Sequence, residues 1–218
     1  GKQRHKHPPF FSSTLVGRES EDCILSYFPV KYNRSLIRKA GNLAMNEVLK
    51  VLKERRSCRS YRPEQITDEE LNAVLEAGTY APTARGQQSP IIVAVQNPAV
   101  VEQLRKMNAA VLGTPEADPF YGAPTVLVVL AARDNTNRVY DGSCVMSNLM
   151  NAAKAVGLAS CWVHRAKEVF DSEEGKALLR QWGVEGDYEG IGHCILGYRA
   201  DTAPAPAPRK EHYIYRDR

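Results

Sequence analysis

The sequence predicts an α+β fold in one good-sized domain, and three observations carry that expectation. Runs rich in apolar residues at Ile91–Val95, Thr125–Ala131, Leu158–His164 and Tyr188–Tyr198 read as strands, and stretches of helical periodicity separate them. The two kinds do not alternate regularly, as a doubly wound parallel sheet requires. No G-x-G-x-x-G fingerprint occurs: Gly190-Ile191-Gly192 comes nearest, but Ile195 stands where the third glycine belongs and the segment reads as strand throughout.

At 218 residues the chain allows one domain and an appendage, by the usual span of about 100–200 residues per domain. Residues 1–44 show scattered aromatics, His5-Lys6-His7, Pro8-Pro9 and no sustained period, and read as a peripheral extension. The domain is expected over residues 45–218, with Met45 a candidate native start. From Met45 the spacing of Val48, Leu49, Val51 and Leu52 predicts a helix with one apolar face. Thr67-Asp68-Glu69-Glu70 is a capping box, so a second helix should run to about Gly78 with Leu71, Val74, Leu75 and Gly78 as its buried stripe.

After the loop 80–90 comes the first strand, then a modest helix over Pro98–Met107. Pro124 introduces the second strand, because proline is tolerated at a strand's first position. Asp141–Val156 is rich in Ala, Met, Leu and Asn, which argues for a helix buried on most sides and stopped by Gly157. Asp141 and Asn148 read as structural. A further helix is expected over Asp171–Trp182, opened by a capping box from Asp171 to Glu174. In the tail, Ala203-Pro204-Ala205-Pro206-Ala207-Pro208 favours extended polyproline geometry and Tyr213-Ile214-Tyr215 alternates like an edge strand. Such an arm cannot bury itself alone, and a partner subunit is the natural surface for it.

Composition narrows the function. Apolar residues make up 43% and charged residues 25%, which is ordinary globular usage and not that of a disordered or fibrous chain. The net charge of +4 divides unevenly: residues 1–44 hold eight Lys/Arg against three acidic groups, and residues 45–218 hold 21 against 22. The folded body is therefore near neutral, and no basic patch for nucleic acid is expected on it. Cysteines 23, 58, 144, 161 and 194 are odd in number and form no C-x-x-C pair, so neither a disulfide framework nor a zinc site follows. His5 and His7 lack a third ligand. The longest apolar run, Thr125–Ala132, is far below the roughly 18 residues of a membrane span. A reducing cytoplasm is the expected setting.

Four segments carry chemistry. Arg55-Arg56-Ser57-Cys58-Arg59-Ser60-Tyr61 packs three guanidinium groups and two aliphatic hydroxyls into seven positions, a set suited to a phosphate. Ala81-Pro82-Thr83-Ala84-Arg85-Gly86-Gln87-Gln88-Ser89-Pro90 is small and polar, so its backbone can approach a flat ligand. Cys161-Trp162-Val163-His164-Arg165 ends a strand, and Pro208-Arg209-Lys210 follows the proline arm.

In this order and spacing the four segments resemble the nitroreductase family of FMN enzymes, over about residues 46–218. The matching patterns are R-R-S-x-R after a first helix, A-P-T/S-x-x-x-x-Q, N-L-x-x-A-A-x-x-x-G-L-x-x-C-W from Asn148 to Trp162, and G-Y…P-x-R-K. The resemblance implies a central, mainly antiparallel sheet flanked by helices, with the C-terminal arm exchanged in a homodimer and FMN at the interface. By position, Arg55, Arg56 and Ser57 should contact the FMN phosphate and ribityl chain, and Arg59 the pyrimidine edge. Pro82, Thr83 and Ala84, with Gln87 and Gln88, should approach the flavin held mainly by the other subunit. Val163 and His164 should border the ring, Trp162 is either core or a flavin contact, and Arg209 and Lys210 should close on the phosphate.

The implied activity is ping-pong hydride transfer from NADH or NADPH to a small acceptor such as a nitroaromatic or quinone. Flavin N5 carries that chemistry, so no catalytic side chain and no metal are expected. A dehydrogenation or dehalogenation on the same scaffold, or a non-catalytic flavin-binding role, stays open at this point.

Overall fold

The computed structural model describes residues 46–217. The basic extension 1–44, His5, His7 and Met45 lie outside the described residues. The elements, in chain order, are α1 (Glu47–Glu54), α2 (Asp68–Thr79), β1 (Pro90–Val95), α3 (Pro98–Leu112), β2 (Thr125–Ala132), α4 (Arg138–Ala155), β3 (Ala159–Val163), α5 (Ala166–Asp171), α6 (Glu173–Gln181) and β4 (Tyr188–Gly197). The four strands form one sheet in the order β1-β2-β4-β3, and every pairing is antiparallel. The α+β expectation, with a mainly antiparallel sheet between helices, holds.

The sheet separates two cores, because successive side chains of a strand point to opposite faces. Val126, Val128, Leu130 and Ile195 face Leu104 and Met107 of α3, Val169 and Phe170 of α5, and Leu178 and Leu179 of α6. Leu127, Val129, Cys194 and Leu196 face Leu71 and Val74 of α2 and Val145, Met146 and Leu149 of α4. β2 is buried on both faces, which is why it reads as a continuous apolar run and shows no alternation.

The capping box at the start of α2 is formed: Thr67 Oγ1 accepts from the Glu70 amide at 3.2 Å and Glu70 Oε2 from the Thr67 amide at 2.9 Å. The helix predicted to begin at Asp171 is organised differently. Asp171 is drawn into ion pairs with Arg133 and Lys167 and closes α5, a six-residue helix that the sequence reading missed. Ser172 caps α6 instead, its hydroxyl accepting from the Gly175 amide at 3.0 Å. α3 runs to Leu112, beyond the expected Met107, and ends on Gly113 at φ 78°.

Two segments leave apolar groups uncovered in the single chain. α1 has no buried residue, and Val48 and Leu52 of its apolar face are 66% and 52% exposed. Tyr213–Tyr215 forms no strand here, and Ile214 is 73% exposed. An edge strand needs a partner edge, and in one copy the arm pairs with neither edge strand of the sheet, β1 or β3.

His193 on β4 is fully buried between the rings of Phe120 and Phe170, at centroid distances of 5.4 Å and 6.1 Å. Burial lowers its pKa from 6.5 to about 4, against the raising effect of the His164 and Val163 carbonyls. An unfolded chain takes up this proton near pH 6.5 and the folded one only near 4. Stability from this group is therefore complete above pH 6.5, falls as pH drops to about 4, and levels off below. The loss across that window should be about 3 kcal/mol by urea unfolding, and His193→Gln should remove this part of the pH dependence.

Candidate functional site

Arg55–Tyr61 leaves α1 and is stitched first to Ser160 of β3 and then to the chain just after β4. The Cys58 amide donates to Ser160 O at 3.0 Å, the Arg62 amide to Tyr198 O at 2.9 Å and the Ala200 amide to Ser60 O at 3.0 Å. Ser57 bridges Ser160 in parallel and Tyr61 bridges Arg199 antiparallel. The buried Cys58 anchors the segment, so the flanking polar side chains are held at the surface.

Arg56 Nη1 donates to Lys53 O at 2.7 Å and Arg55 O at 2.6 Å, satisfying carbonyls at the end of α1. Arg56 Nε and Arg55 Nη1 are buried, and neither has a hydrogen-bond partner among the described residues. Both arginines line a cavity of about 190 Å³ with Glu54, Lys154, Ser160 and Arg199. Four cations and one carboxylate line it, with Lys154 paired to Glu54 at 3.6 Å; an unsatisfied buried donor costs about 1–3 kcal/mol, which an anion placed there would offset. Arg199 was not singled out from sequence. It pairs with Asp201 at 2.6 Å and donates to Ser57 O at 3.3 Å, so it steadies Ser57 as well as lining the cavity.

β3 runs from Ser160, beside Ser57, to the corner at Val163 and His164, a span of roughly 13 Å at the usual strand rise. Val163 is buried and His164 exposed. The Trp162 indole, 5.9 Å from the His164 ring, lies across Gly192, where a Cβ would come within 2.4 Å of Nε1. The glycine pair in β4 thus serves close packing, in agreement with its reading as strand.

The loop before β1 is held by Asp141 in the first turn of α4. Asp141 Oδ1 accepts from the Ala84 amide at 2.9 Å and Oδ2 from Asn135 Nδ2 at 3.0 Å, and Asn135 Nδ2 also reaches Ser89 Oγ at 2.7 Å. Thr83 Oγ1 accepts from the Gln88 amide at 3.0 Å. Arg85 and Gln88 adopt left-handed backbone, φ 56° and 51°, which non-glycine residues adopt at a cost and which clusters at binding sites. Pro82, Gln87 and Gln88 are exposed, and Thr83 and Ala84 half-buried.

The single chain therefore gathers the sequence-predicted residues into separate groups. Ser57 lies against Ser160 of β3, the strand that leads on to Trp162, Val163 and His164, and Arg55, Arg56 and the exposed Arg59 belong to the same segment as Ser57. Pro82, Thr83, Ala84, Gln87 and Gln88 lie beside β1, the opposite edge of the sheet and roughly 14 Å away across three strand spacings. Arg209 donates to Ala207 O within the exposed arm, and Lys210 lies over the Tyr213 ring at 5.3 Å. The cavity reaches the arm only at Ala203, so neither basic residue joins it in one copy. The free thiols of Cys58, Cys161 and Cys194 are buried core groups, and burial pushes Cys194 up to about 12.

Comparison with known proteins identifies the fold. The sequence model of the Nitroreductase family matches residues 52–198. A protein of Archaeoglobus fulgidus, named as an NADH dehydrogenase/NAD(P)H nitroreductase, is 29% identical over 179 residues, 80% of this chain and 94% of that protein. A crystal structure of a nitroreductase with bound FMN from Bacteroides fragilis superposes with a TM-score of 0.73 at 30% identity, covering 79% of this chain and all of that one. A second, with bound FMN, from Desulfitobacterium hafniense gives 0.72 at 26% identity over 79% of this chain and all of that one. From its sequence and its fold alike, this chain belongs to the nitroreductase family.

Proposed function

We propose that this chain is one subunit of a homodimeric, FMN-dependent NAD(P)H oxidoreductase that reduces small acceptors such as nitroaromatics and quinones. The observation that carries the reading is the cation-lined cavity in which Arg55 Nη1 and Arg56 Nε are buried without partners. It has the charge for a dianionic phosphate, and β3 extends from it to a corner that can border a flat ring. The relatives named above add the cofactor and the donor.

In this reading Arg55, Arg56 and Ser57 hold the phosphate end and Val163 and His164 border the ring. When bound, FMN supplies a hydride acceptor at N5, with negative charge developing at N1 and O2. Arg59, exposed one residue past the buried Cys58, meets that charge as a fixed cation and needs no proton transfer to do so. The chain's own work is binding, orientation and charge stabilisation. Two FMN sites per dimer follow. Anaerobic rapid mixing tests the activity: NADH or NADPH should bleach the flavin of the reconstituted protein, and a quinone or nitroaromatic should restore it. Bleaching with no acceptor turning over would contradict the reductase assignment.

A second copy accounts for what one chain leaves open. It would cover the apolar face of α1, receive the arm, and bring Pro82, Thr83, Ala84, Gln87 and Gln88 towards its partner's FMN, with Arg209 and Lys210 closing on a phosphate. Deleting residues 204–218 should raise the dimer dissociation constant at least about tenfold, a loss of 1.4 kcal/mol or more. Light scattering across a dilution series checks it, and an unchanged dimer would remove the exchanged arm from the account. NAD(P)H as donor and the four free cysteines among the described residues both suit a cytoplasmic setting.

A further inference from the structure

Arg165, the residue that turns β3 into α5, has φ 73° and ψ 11°, a left-handed conformation that a non-glycine residue adopts only when its surroundings hold it. What holds it is Asn108 of α3, which is fully buried. Asn108 Nδ2 donates to His164 O at 2.8 Å, and its Oδ1 accepts from Arg165 Nε at 3.0 Å. A carbonyl can only accept and a guanidinium can only donate, so the amide has one consistent orientation. Nδ2 also lies 3.4 Å from His193 Nδ1.

These bonds fix one peptide plane. No cis bond is present among the described residues, and in a trans peptide the C=O and N–H point in opposite directions. With the His164 carbonyl held by Asn108 in the core, the Arg165 N–H is turned away from α3. We propose that Asn108 is a positioning residue for the ring end of the site: by holding the His164–Arg165 peptide it presents the Arg165 amide as a hydrogen-bond donor to the edge of the flavin. This rests on the FMN reading above. It goes beyond that reading in assigning a role to a buried residue of another helix that touches no cofactor.

The test compares wild type with Asn108→Leu and Asn108→Asp, each as the full chain reconstituted with FMN. Leucine removes both bonds. Aspartate has nearly the same shape and keeps an acceptor for Arg165 but loses the donor to His164 O, so it serves should the leucine variant not fold. Both should retain FMN within about twofold of wild type, because Arg55–Ser57 lie at the other end of β3. Both should shift the visible absorption of the bound flavin and slow its anaerobic reduction by NADH roughly tenfold, with the half-saturating NADH concentration little changed. A purely structural role would lower the melting temperature and leave spectrum and rate alone, and that result in folded, FMN-loaded Asn108→Asp overturns the proposal. Wild type that takes up no FMN overturns the FMN reading itself, and is seen before any variant is compared.

Discussion

Arg55→Ala is expected to weaken FMN binding about 10- to 100-fold while leaving the fold intact. The magnitude is that of one charge-assisted hydrogen bond, about 1.5–3 kcal/mol, lost from the phosphate end. The fold should tolerate it because Arg55 Nη1 is already buried without a partner among the described residues, so deleting it removes an unsatisfied donor. Arg56 differs. Its Nη1 holds Lys53 O and Arg55 O, so Arg56→Ala should also fray the end of α1. Titrating the apoprotein with FMN and following flavin fluorescence measures the first effect, and thermal unfolding separates the second. Equal FMN affinity in wild type and Arg55→Ala would remove Arg55 from the phosphate site.

Gly190→Ala should be the most destabilising conservative change near the site. A Cβ at position 190 would lie 2.3 Å from Ala166 O and 2.4 Å from its carbonyl carbon, so rigid backbone must move. The pairing of β2 with β4 already shifts register here: Val129 opposes Gly192 and Leu130 opposes Gly190, leaving Ile191 as the extra residue of a bulge. Overpacking usually costs about 1–3 kcal/mol, and contact with main chain puts this case at the upper end or beyond. A loss of about 3 kcal/mol is roughly 6–12 °C in melting temperature for a chain of this size.

Gly183→Ala is the control. Gly183 has φ 70° with nothing within 4 Å of a built Cβ, so only the conformational cost of about 1 kcal/mol applies. If Gly190→Ala melts no lower than Gly183→Ala, the close packing of α5 on β4 is not what holds that corner. The same displacement should loosen the Arg165 turn, since Ala166 begins α5 directly after it.

The elements legible in the sequence are those set by local chemistry. Thr67 and Glu70 cap α2 within their own turn, and Pro124 and Gly157 punctuate the chain wherever it folds. What was not legible depends on partners far along the chain. Asp171 reads as a helix cap until Arg133 and Lys167 claim it. Tyr213–Tyr215 has the alternation of a strand and joins no edge of the sheet in one copy.

Of the candidate site, the arginine cluster announces itself because three guanidinium groups in five positions are unusual in any local context. Arg199, Asp141 and Asn108 do not, for each acts on a segment between 56 and 142 residues away. The one cue was the position of Arg199 directly after Gly197-Tyr198. Asp141 resembles an ordinary acidic residue in a first helical turn, and Asn108 a polar residue on a helix of mixed composition. Their roles come from buried hydrogen bonds that only the tertiary structure pairs.

One spectrum tests the phosphate site most directly: the 218-residue chain incubated with FMN, freed of excess by gel filtration, and scanned through the visible. The protein peak should be yellow, hold about one flavin per chain, and bleach when NADH or NADPH is added without oxygen. A colourless peak, with all flavin eluting as free small molecule, would contradict the phosphate site at Arg55–Ser57 and everything derived from it.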